Sequence, residues 1–541
     1  LFMRKTETIA ATFFCVIIFL FAYCFCSYAQ TYDWINQAGT TSGSNPRIAV
    51  DSIGNSYICG GFCDSIICGN QVAGSVGNRD IFLVKYNSQG EPQWIKTAGG
   101  EGDDEGESVS VDDVGNIYIA GQIGDSANFG GTIIDSASGF IAKYSATGDL
   151  IWVTHFRWTQ DNCVVAGKFG KVFITGRMNT DVNVSCGYIS IDTLNTIFIA
   201  CFDSSGICEW AGKFDASLVF DIAVDNSNGV YVTGAFLDDA IFGNHIITSH
   251  GEQDIYLAKC DPAGSWVWAK SLGSTDYDQG LAVDVDTFNH VYLTGYFRET
   301  LDFGCETLTS TGEADIYISQ FDTAGNCKWV RQAGGELANQ YAFGLSSNRN
   351  GDCFITGSII GDTQFGDTWI EPLGEKAYLA KYDSSGECTW AVGVDGHSGD
   401  RGYDIGTDAN NNTYFLGLLF GGSEHIFDND TLIPHPHNCG LSNSPSYDMF
   451  IVKINSLFTS VAALGNPVVN PSIFPNPTST TITLSLPSNQ NGMLSVFNLL
   501  GEKVKEEKVI GKEITMDVSS LPQGLYLVRM GNKRLGKFAK K

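Results

Sequence analysis

Short segments of alternating apolar and polar residues follow one another along most of the chain, from about residue 31 to residue 455. In one such stretch, Glu107 to Val111 alternates, Asp112 to Asn116 has the composition of a turn, and Ile117 to Gly121 alternates again. A longer polar segment, the apolar stretch Phe140 to Tyr144 and a second glycine turn then lead to a strand with Trp152. Side chains two apart share one face of a strand, and glycine supplies the positive φ that tight hairpins need. The pattern predicts a unit of four short antiparallel strands.

This unit repeats about every sixty residues, and three independent series each count seven members. Tryptophans recur at separations of 60, 58, 58, 58, 61 and 61 residues: Trp34, Trp94, Trp152, Trp210, Trp268, Trp329 and Trp390. An aromatic-x-x-Gly series runs through Tyr57/Gly60, Tyr118/Gly121, Phe173/Gly176, Tyr231/Gly234, Tyr292/Gly295, Phe354/Gly357 and Tyr414/Gly417. An alternating strand recurs at 80–85, 140–143, 198–201, 254–259, 315–320, 378–381 and 448–453.

Seven four-stranded units predict an all-β fold, a seven-bladed β-propeller over residues 30–455, because a closed ring hides the edges of its sheets. A linear β-solenoid is the alternative, although its parallel strands usually repeat at shorter periods. The element Tyr32 to Ala38 has the features of a fourth strand without three strands before it, and the last unit has no fourth strand after Lys453. We therefore expect the N-terminal strand to complete the seventh blade.

The repeat resembles a known family at Asp112 to Gly121 and at the Phe-Leu-Val-Lys-Tyr and Trp-x-x-x-x-Gly elements. These motifs are similar to the SBBP-type bacterial β-propeller repeat, over roughly residues 31–455. The third unit departs most, since Gly167 to Lys171 replaces the Asp-x-x-Gly-Asn turn. The resemblance implies an extracellular propeller and no shared catalytic residues.

A different pattern follows after a small, polar linker at residues 456–471. It contains Ile473 to Pro477 with a Pro-Asn-Pro motif, the strand Thr481 to Ser485, the segment Leu494 to Gly501 and the segment Leu521 to Arg529. Residues 472–541 resemble the C-terminal sorting domain of the type IX (Por) secretion system of Bacteroidetes. The resemblance implies a small Ig-like β-sandwich that partners the type IX machinery and directs the protein to the cell surface or the medium. An accessory structural sandwich is the alternative.

The N-terminus has the features of a secretory signal. Arg4 and Lys5 precede an apolar run from residue 9 to residue 25, and Ser27-Tyr28-Ala29 precedes Gln30 as a cleavage site would. We predict a signal peptide at residues 1–29 and no transmembrane span in the mature protein. A membrane anchor is the alternative, and Cys24 and Cys26 raise a lipoprotein reading without the small-residue pattern that lipidation needs.

Charge divides the chain at the same boundary. The whole sequence carries 60 acidic and 32 basic residues, a net charge of −28, but residues 31–471 carry −34 and residues 472–541 carry +5. An acidic body repels phosphate backbones, so a nucleic-acid partner is not expected.

Candidate ligand residues cluster where the repeat begins. Asp104, Asp278 and Asp400 share one repeat position, and Asp103, Asp276 and Asp404 lie close to them in sequence. Their carboxylates could form an acidic rim at the channel mouth that holds Ca²⁺ or a cationic ligand. Aspartates that form turns with their own backbone are the alternative.

Two further candidates involve histidine and cysteine. His435, His437 and Cys439 lie in the longest loop and could bind Zn²⁺ or copper, or simply be exposed. Cys201 and Cys208 flank a turn at equal distance and are the candidate disulfide, with Cys63 and Cys68 as a second pair. Thirteen cysteines follow the signal, so at least one lacks an intramolecular partner.

No nucleophile elbow, zinc-protease motif or phosphate-binding loop occurs, so the sequence does not indicate an enzyme. The favoured hypothesis is an exported, non-catalytic binding or adhesion module with an extracellular glycan or protein ligand on the face with the longer loops. The alternatives are an exported hydrolase or lyase that uses the acidic residues at the channel mouth, and a structural spacer without a specific ligand.

Overall fold

The computed structural model describes residues 32–42, 45–157, 159–184, 187–189, 196–336, 339–372, 374–394, 399–420, 425–427, 430–432, 446–456, 472–474, 478–498, 503–530 and 533–541. The predicted signal peptide at 1–29, and all but the first residue of the linker at 456–471, lie outside these ranges. The regular secondary structure of the described residues is β-strand, apart from one 3₁₀ turn at Lys168–Gly170. The chain divides into two compact units, residues 1–460 and residues 461–541.

In the first unit, the described strands form seven four-stranded antiparallel sheets, here called blades 1 to 7 in chain order. The innermost first strands are Arg47–Val50, Glu105–Val111, Thr159–Ala166, Leu218–Val224, Gln279–Val285, Gln340–Ser347 and Arg401–Thr407. The second strands are Ser56–Phe62, Ile117–Ile123, Val172–Met178, Val230–Phe236, Val291–Phe297, Cys353–Ile360 and Thr413–Leu419. The third strands are Asp80–Tyr86, Ser138–Tyr144, Thr196–Phe202, Asp254–Cys260, Asp315–Phe321, Glu375–Tyr382 and Ser446–Ile454. The fourth strands are Pro92–Ala98, Leu150–Arg157, Cys208–Asp215, Trp266–Leu272, Cys327–Gly334, Cys388–Gly393 and, for blade 7, Trp34–Ser42.

The connection between the second and third strands contains a small two-stranded hairpin in each blade, where the sequence indicated only a longer loop. These hairpins are Ser65–Cys68 with Gln71–Gly74, Ala127–Phe129 with Thr132–Ile134, Val182–Val184 with Gly187–Ile189, Asp239–Phe242 with His245–Thr248, Thr300–Asp302 with Thr307–Thr309, Thr363–Phe365 with Thr368–Ile370, and His425–Phe427 with Asp430–Leu432. Hairpins of blades 4 and 6 also pair with the fourth strand of the preceding blade, at Asp215 with Ile241 and at Ala333 with Phe365. The hairpins therefore tie neighbouring blades together.

The N-terminal strand completes blade 7, which confirms the predicted pairing. Trp34–Ser42 runs antiparallel to Ser446–Ile454, with Trp34 opposite Lys453. The first strand of blade 1 contacts those of blades 2 and 7, and the other first strands contact one another in chain order. The described sheets therefore close into a ring, and the chain has the β-propeller fold.

The seven repeated tryptophans share one structural position. In every blade the tryptophan lies opposite the equivalent position of the third strand. Five indole N–H groups donate to a carbonyl in the third-to-fourth-strand turn of the next blade at 2.9–3.2 Å: Trp34, Trp152, Trp210, Trp268 and Trp329. The ring also lies against the turn glycine. At Gly90, which has φ +80°, a Cβ would lie 2.6 Å from the Trp34 ring. The tryptophans are thus contacts between blades.

The second unit has five strands joined in one hydrogen-bonded sheet: Ser472–Phe474, Thr481–Phe497, Lys503–Asp517, Gly524–Met530 and Lys533–Lys540. Its core contains Ile482, Leu494, Met516, Val528 and Phe538, which are all buried. The two-sheet sandwich implied by the family resemblance stays a prediction.

The predicted disulfides are wrong. Cys201 and Cys68 are buried free thiols, whereas Cys208 and Cys63 are bonded to other cysteines. Cys201 and Cys208 do start and end one turn, but Cys208 lies opposite Phe202 rather than Cys201 because the ladder has a bulge there.

One disulfide joins Cys305 in the blade 5 hairpin to Cys327 at the start of that blade's fourth strand. It closes a loop with a sequence separation of 22 residues, so we expect the double variant Cys305→Ser/Cys327→Ser to lose about 3 kcal/mol of unfolding free energy. Urea titration with and without a reductant measures the loss. Cys388 is the matched control, because it occupies the repeat position of Cys327 in blade 6 and is a free thiol. A loss in Cys388→Ser as large as that in the double variant would contradict the assignment.

Candidate functional site

The first strands surround the ring axis, and a bulge interrupts six of them near their start. In an antiparallel blade the first-to-second and third-to-fourth turns share one face, here called the short-turn face. The inserted hairpins and the connections between blades share the other, the long-loop face. Each bulge lies toward the long-loop face, and three of the bulge residues, Glu107, Phe220 and Phe343, line the axial cavity. The bulge residues are Glu107, Asp161 with Asn162, Phe220, Leu281, Phe343 and Tyr403.

Two more repeat positions meet the bulge residues at this end of the axis. They are opposite residues of the first and second strands: Glu105 and Gln122, Gln160 and Arg177, Leu218 and Ala235, Gln279 and Tyr296, Tyr341 and Ser358, and Arg401 and Leu418. These two positions and the bulge residues are called the mouth. Tryptophan, turn glycine and turn aspartate recur from blade to blade because the fold needs them. At the mouth, equivalent positions of different blades hold different residue types. The propeller fold therefore does not dictate them.

One side of the mouth, from blade 5 to blade 7, is an arc of partly exposed aromatic rings. Tyr296 and Tyr341 meet edge to face with centroids 4.9 Å apart. Tyr341 and Phe343 are nearly parallel at 5.8 Å, and so are Phe343 and Tyr403. These four residues are called the aromatic arc. Among the described residues, the hydroxyl groups of Tyr296 and Tyr341 have no hydrogen-bond partner.

Arginine borders this arc in blade 7. The Arg401 guanidinium lies 5.8 Å from the centroid of the Phe420 ring and donates to the Glu375 carboxylate at 2.7 and 3.3 Å. Phe420 packs against Tyr447 with centroids 4.0 Å apart. Planar cationic and aromatic groups therefore continue the arc.

The other side of the mouth, in blades 2 and 3, is polar. Arg79 pairs with Glu105 at 3.0 Å, and Arg177 pairs with Asp161 at 3.1 Å. Glu107 accepts from the backbone N–H and the side-chain amide of Asn162 at 2.9 and 2.8 Å. Burial raises the pKa of Glu107 to about 8, because nearby Glu105 and Asp161 add repulsion and the Asn162 bonds offset only part of the cost. These groups form the polar sector of the mouth.

A cavity of about 420 Å³ runs along the axis from the bulges to the short-turn face. Its carboxylates bond the backbone of the following blade: Asp404 accepts from Ile48 N at 2.9 Å and Asp221 from Val283 N at 2.9 Å. Asp284 likewise accepts from the Ser347 hydroxyl at 2.7 Å. The first strand of each blade is a sheet edge, so these side chains pair N–H groups that the sheet leaves free.

These axial carboxylates line the cavity, and the ring surrounds them. Burial raises the pKa of Asp221 to about 7, and it also raises those of Asp284 and Asp404. Arg47 lies among them, where the attraction of Asp404 and Asp221 more than offsets burial and raises its pKa. The carboxylates along the axis thus connect the first strands of neighbouring blades.

The aspartates predicted to form an acidic rim are buried and bond backbone. Asp104 accepts from Gly100 N and Gly124 N at 2.8 and 2.9 Å, and Asp278 accepts from Ser274 N and Arg298 N at 2.5 and 2.8 Å. Asp400 accepts from Phe420 N at 2.9 Å. All three are fully buried, and burial raises the pKa of Asp104 and of Asp278 to about 6. They anchor the connections between blades and do not open onto a rim.

The remaining candidates are not brought together. Asp103 is exposed, Asp276 lies 4.0 Å from an Arg298 nitrogen, and Asp404 binds the blade 1 backbone. Within the described ranges, no three His, Cys, Asp or Glu side chains converge as metal ligands. His435, His437 and Cys439 lie outside the described residues.

Two family models each match part of the chain. Residues 472–541 match the family model of the secretion system C-terminal sorting domain. The chain is a type IX secretion cargo. Its destination is therefore the cell surface or the extracellular space. Residues 93–130 match the β-propeller repeat named SBBP.

Two curated relatives match at low identity. An uncharacterized WD repeat-containing protein, L264 of Acanthamoeba polyphaga mimivirus, is 22% identical over 508 residues, 74% of this chain and 35% of its own length. The regulatory protein FlaEY of Caulobacter vibrioides is 28% identical over 141 residues, 25% of this chain and 15% of its own length. The chain thus spans about a third of the first relative and less of the second.

Solved structures also match. YCF48 bound to D1 peptide has a TM-score of 0.37 at 9% identity, covering 79% of this chain and 96% of that one. The Dos1 propeller has a TM-score of 0.38 at 8% identity, covering 78% and 96%. Across the described residues, no helix has the length and hydrophobicity to cross a membrane.

Proposed function

We propose that this exported protein is a non-catalytic binding or adhesion module whose ligand contacts the mouth on the long-loop face. The observation that carries the proposal is the divergence of the mouth between blades that are otherwise built alike. The repeated tryptophans keep one residue type because they hold neighbouring blades together, so the variation at the mouth is consistent with selection by a ligand rather than by folding.

The side chains at the mouth also suit binding. Aromatic residues and arginine contribute most of the energy at protein binding sites, and here several lie partly exposed around one opening. Export to the cell surface would present this opening to ligands outside the cell.

The first test is loss of binding in mouth variants of the exported protein. Glycan and protein arrays, read with and without a calcium chelator, identify a ligand, and the affinity of Tyr403→Ala for that ligand is then measured. We expect a loss of about tenfold or more, because truncation removes a ring that packs between two blades at the opening.

The matched control is Phe288→Ala on the short-turn face, where the Phe288 ring is 59% exposed. This variant should bind as the wild type does. Equal loss in both variants would contradict the proposed site, a protein with no ligand on either array would favour a structural spacer, and cleavage of an arrayed glycan or peptide would favour the exported hydrolase or lyase.

A further inference from the structure

We propose that the ligand of the mouth is an uncharged oligosaccharide, an inference that rests on the proposed function and adds the chemical class. Sugar rings present C–H faces that stack on aromatic rings, and hydroxyl groups that bond planar polar side chains. The mouth offers both kinds of group around one opening.

The first argument is charge. The four arginines at or beside the mouth each lie next to a carboxylate: Arg79 with Glu105, Arg177 with Asp161, Arg298 with Asp276 and Arg401 with Glu375, at 2.7–4.0 Å. Burial favours the neutral form of Glu107. The charged side chains of the mouth are thus paired or buried, with the exposed Asp103 and Glu313 at its border, so the mouth does not share the strong negative charge of residues 31–471, −34 in total, and would not select an ionic ligand.

The second argument is the arrangement of hydrogen-bonding groups. Two hydrogen bonds from Arg401 to Glu375 fix the plane of its guanidinium group, and Gln160 accepts from Arg177 at 3.0 Å, which orients its amide group. On the aromatic side, the hydroxyl groups of Tyr296 and Tyr341 lack a partner among the described residues and can bond a ligand. Fixed planar groups of this kind match ligand hydroxyls with little loss of side-chain entropy.

The third argument separates a sugar from a peptide. An extended peptide gains affinity by pairing its backbone with a free sheet edge. At the axis, side chains of the neighbouring blade already occupy N–H groups of the first strands, as Asp404 does at Ile48 and Asp221 at Val283. A sugar needs no such edge.

The fourth argument is extent. Successive centroid separations along the aromatic arc are 4.9, 5.8 and 5.8 Å, so the arc is longer than one ring and can contact more than one sugar. Oligosaccharides should therefore bind more tightly than the corresponding monosaccharides.

The test uses the exported full chain, arrays of neutral and anionic oligosaccharides, and isothermal titration with the best neutral oligosaccharide. We expect a neutral oligosaccharide to bind, Tyr341→Ala to weaken it about tenfold or more, and Tyr341→Phe to weaken it only a few-fold, since the phenyl ring keeps the stacking surface. Phe288→Ala should bind normally, and Phe343→Leu provides a second arc variant if Tyr341→Ala fails to fold.

The outcomes distinguish the two proposals. Binding of a peptide or protein that is lost in Tyr341→Ala would overturn the oligosaccharide proposal and leave the binding function standing. Preference for anionic sugars would also overturn it. A ligand whose affinity no mouth variant changes would overturn the proposed site, and with it both proposals.

Discussion

A chain that begins after Ser42 should unfold far more readily than the full propeller, by about 5 kcal/mol or more in unfolding free energy. The deletion removes the fourth strand of blade 7 and leaves the third strand, Ser446–Ile454, with an unpaired edge. It also removes the contacts of Trp34 with the Ser88 carbonyl at 3.1 Å and with the Tyr414 ring at 6.0 Å. Exposed sheet edges pair with other chains, so the shortened protein should also aggregate.

Urea or thermal unfolding of the purified protein measures this effect, and light scattering detects the aggregation. The single variant Trp34→Ala should lose about 3 kcal/mol, because it removes a large, partly buried ring that packs between two blades. Trp369→Ala is the control, since Trp369 lies in the blade 6 hairpin and is 53% exposed. If the deletion unfolds at the wild-type urea concentration, the strand does not hold the ring closed.

The propeller should be most stable near pH 5 and lose stability as the pH rises toward 9. Burial raises the pKa of Glu107 from 4.5 to about 8 and that of Asp221 from 3.8 to about 7. In this range the native state binds more protons than the unfolded state. The stability from these groups is therefore complete below their unfolded pKa values and is lost as the pH rises through the native ones. After a discount for solvent screening in the axial cavity that both groups line, the two carboxylates together account for roughly 4 kcal/mol.

Stability falls again at low pH, because native bonds hold the pKa of other carboxylates below the ordinary value, as at Asp225 and Asp383. The measurement is the unfolding free energy from urea titrations between pH 4 and pH 9. Glu107→Gln should match the wild type near pH 5 and exceed its stability at pH 9, since the amide can still accept from Asn162 but cannot ionise. If the unfolding free energy of the variant fell with pH as steeply as that of the wild type, Glu107 would not titrate in this range. Asp113→Asn is the control, because this carboxylate lies exposed in the first-to-second-strand turn of blade 2.

The sequence alone predicted the repeat, the propeller and its N-terminal closing strand, because these depend on features that recur with a fixed period. Trp34 and Trp390 could be aligned without any structure, and the missing fourth strand after Lys453 showed where the chain closes. Periodic features are visible in sequence because the same contact forms seven times.

The mouth could not be found in the same way. Phe343 and Tyr403 reach the axis because a bulge adds one residue to each first strand, and no sequence rule placed those bulges. Asp104 and Asp278 were predicted at the rim because they are acidic and shared, but their carboxylates bond backbone N–H groups inside the loops. The acidic residues that share a repeat position stabilise the loops of the fold. The mouth is formed by residues that differ from blade to blade.

The disulfide did leave a signal in the sequence. Cys305 and Cys327 are separated by 22 residues, and Cys186 and Cys208 have the same separation two repeats earlier in the sequence. Comparing cysteines across repeats, rather than across one turn, would have favoured the observed pair.

The N-terminal strand that completes blade 7 also sets the order in which the propeller can assemble. Gln37 bonds Asp448 across 411 residues, so the strand that is synthesised first must wait for nearly the last strand of the propeller. Blades 1 to 6 are built from local hairpins, whereas blade 7 needs both ends of the propeller. Closure of such a long loop carries a large entropy cost and is slow. Until that pairing forms, the propeller is an open arc with one unpaired strand at its beginning and an incomplete sheet at its end.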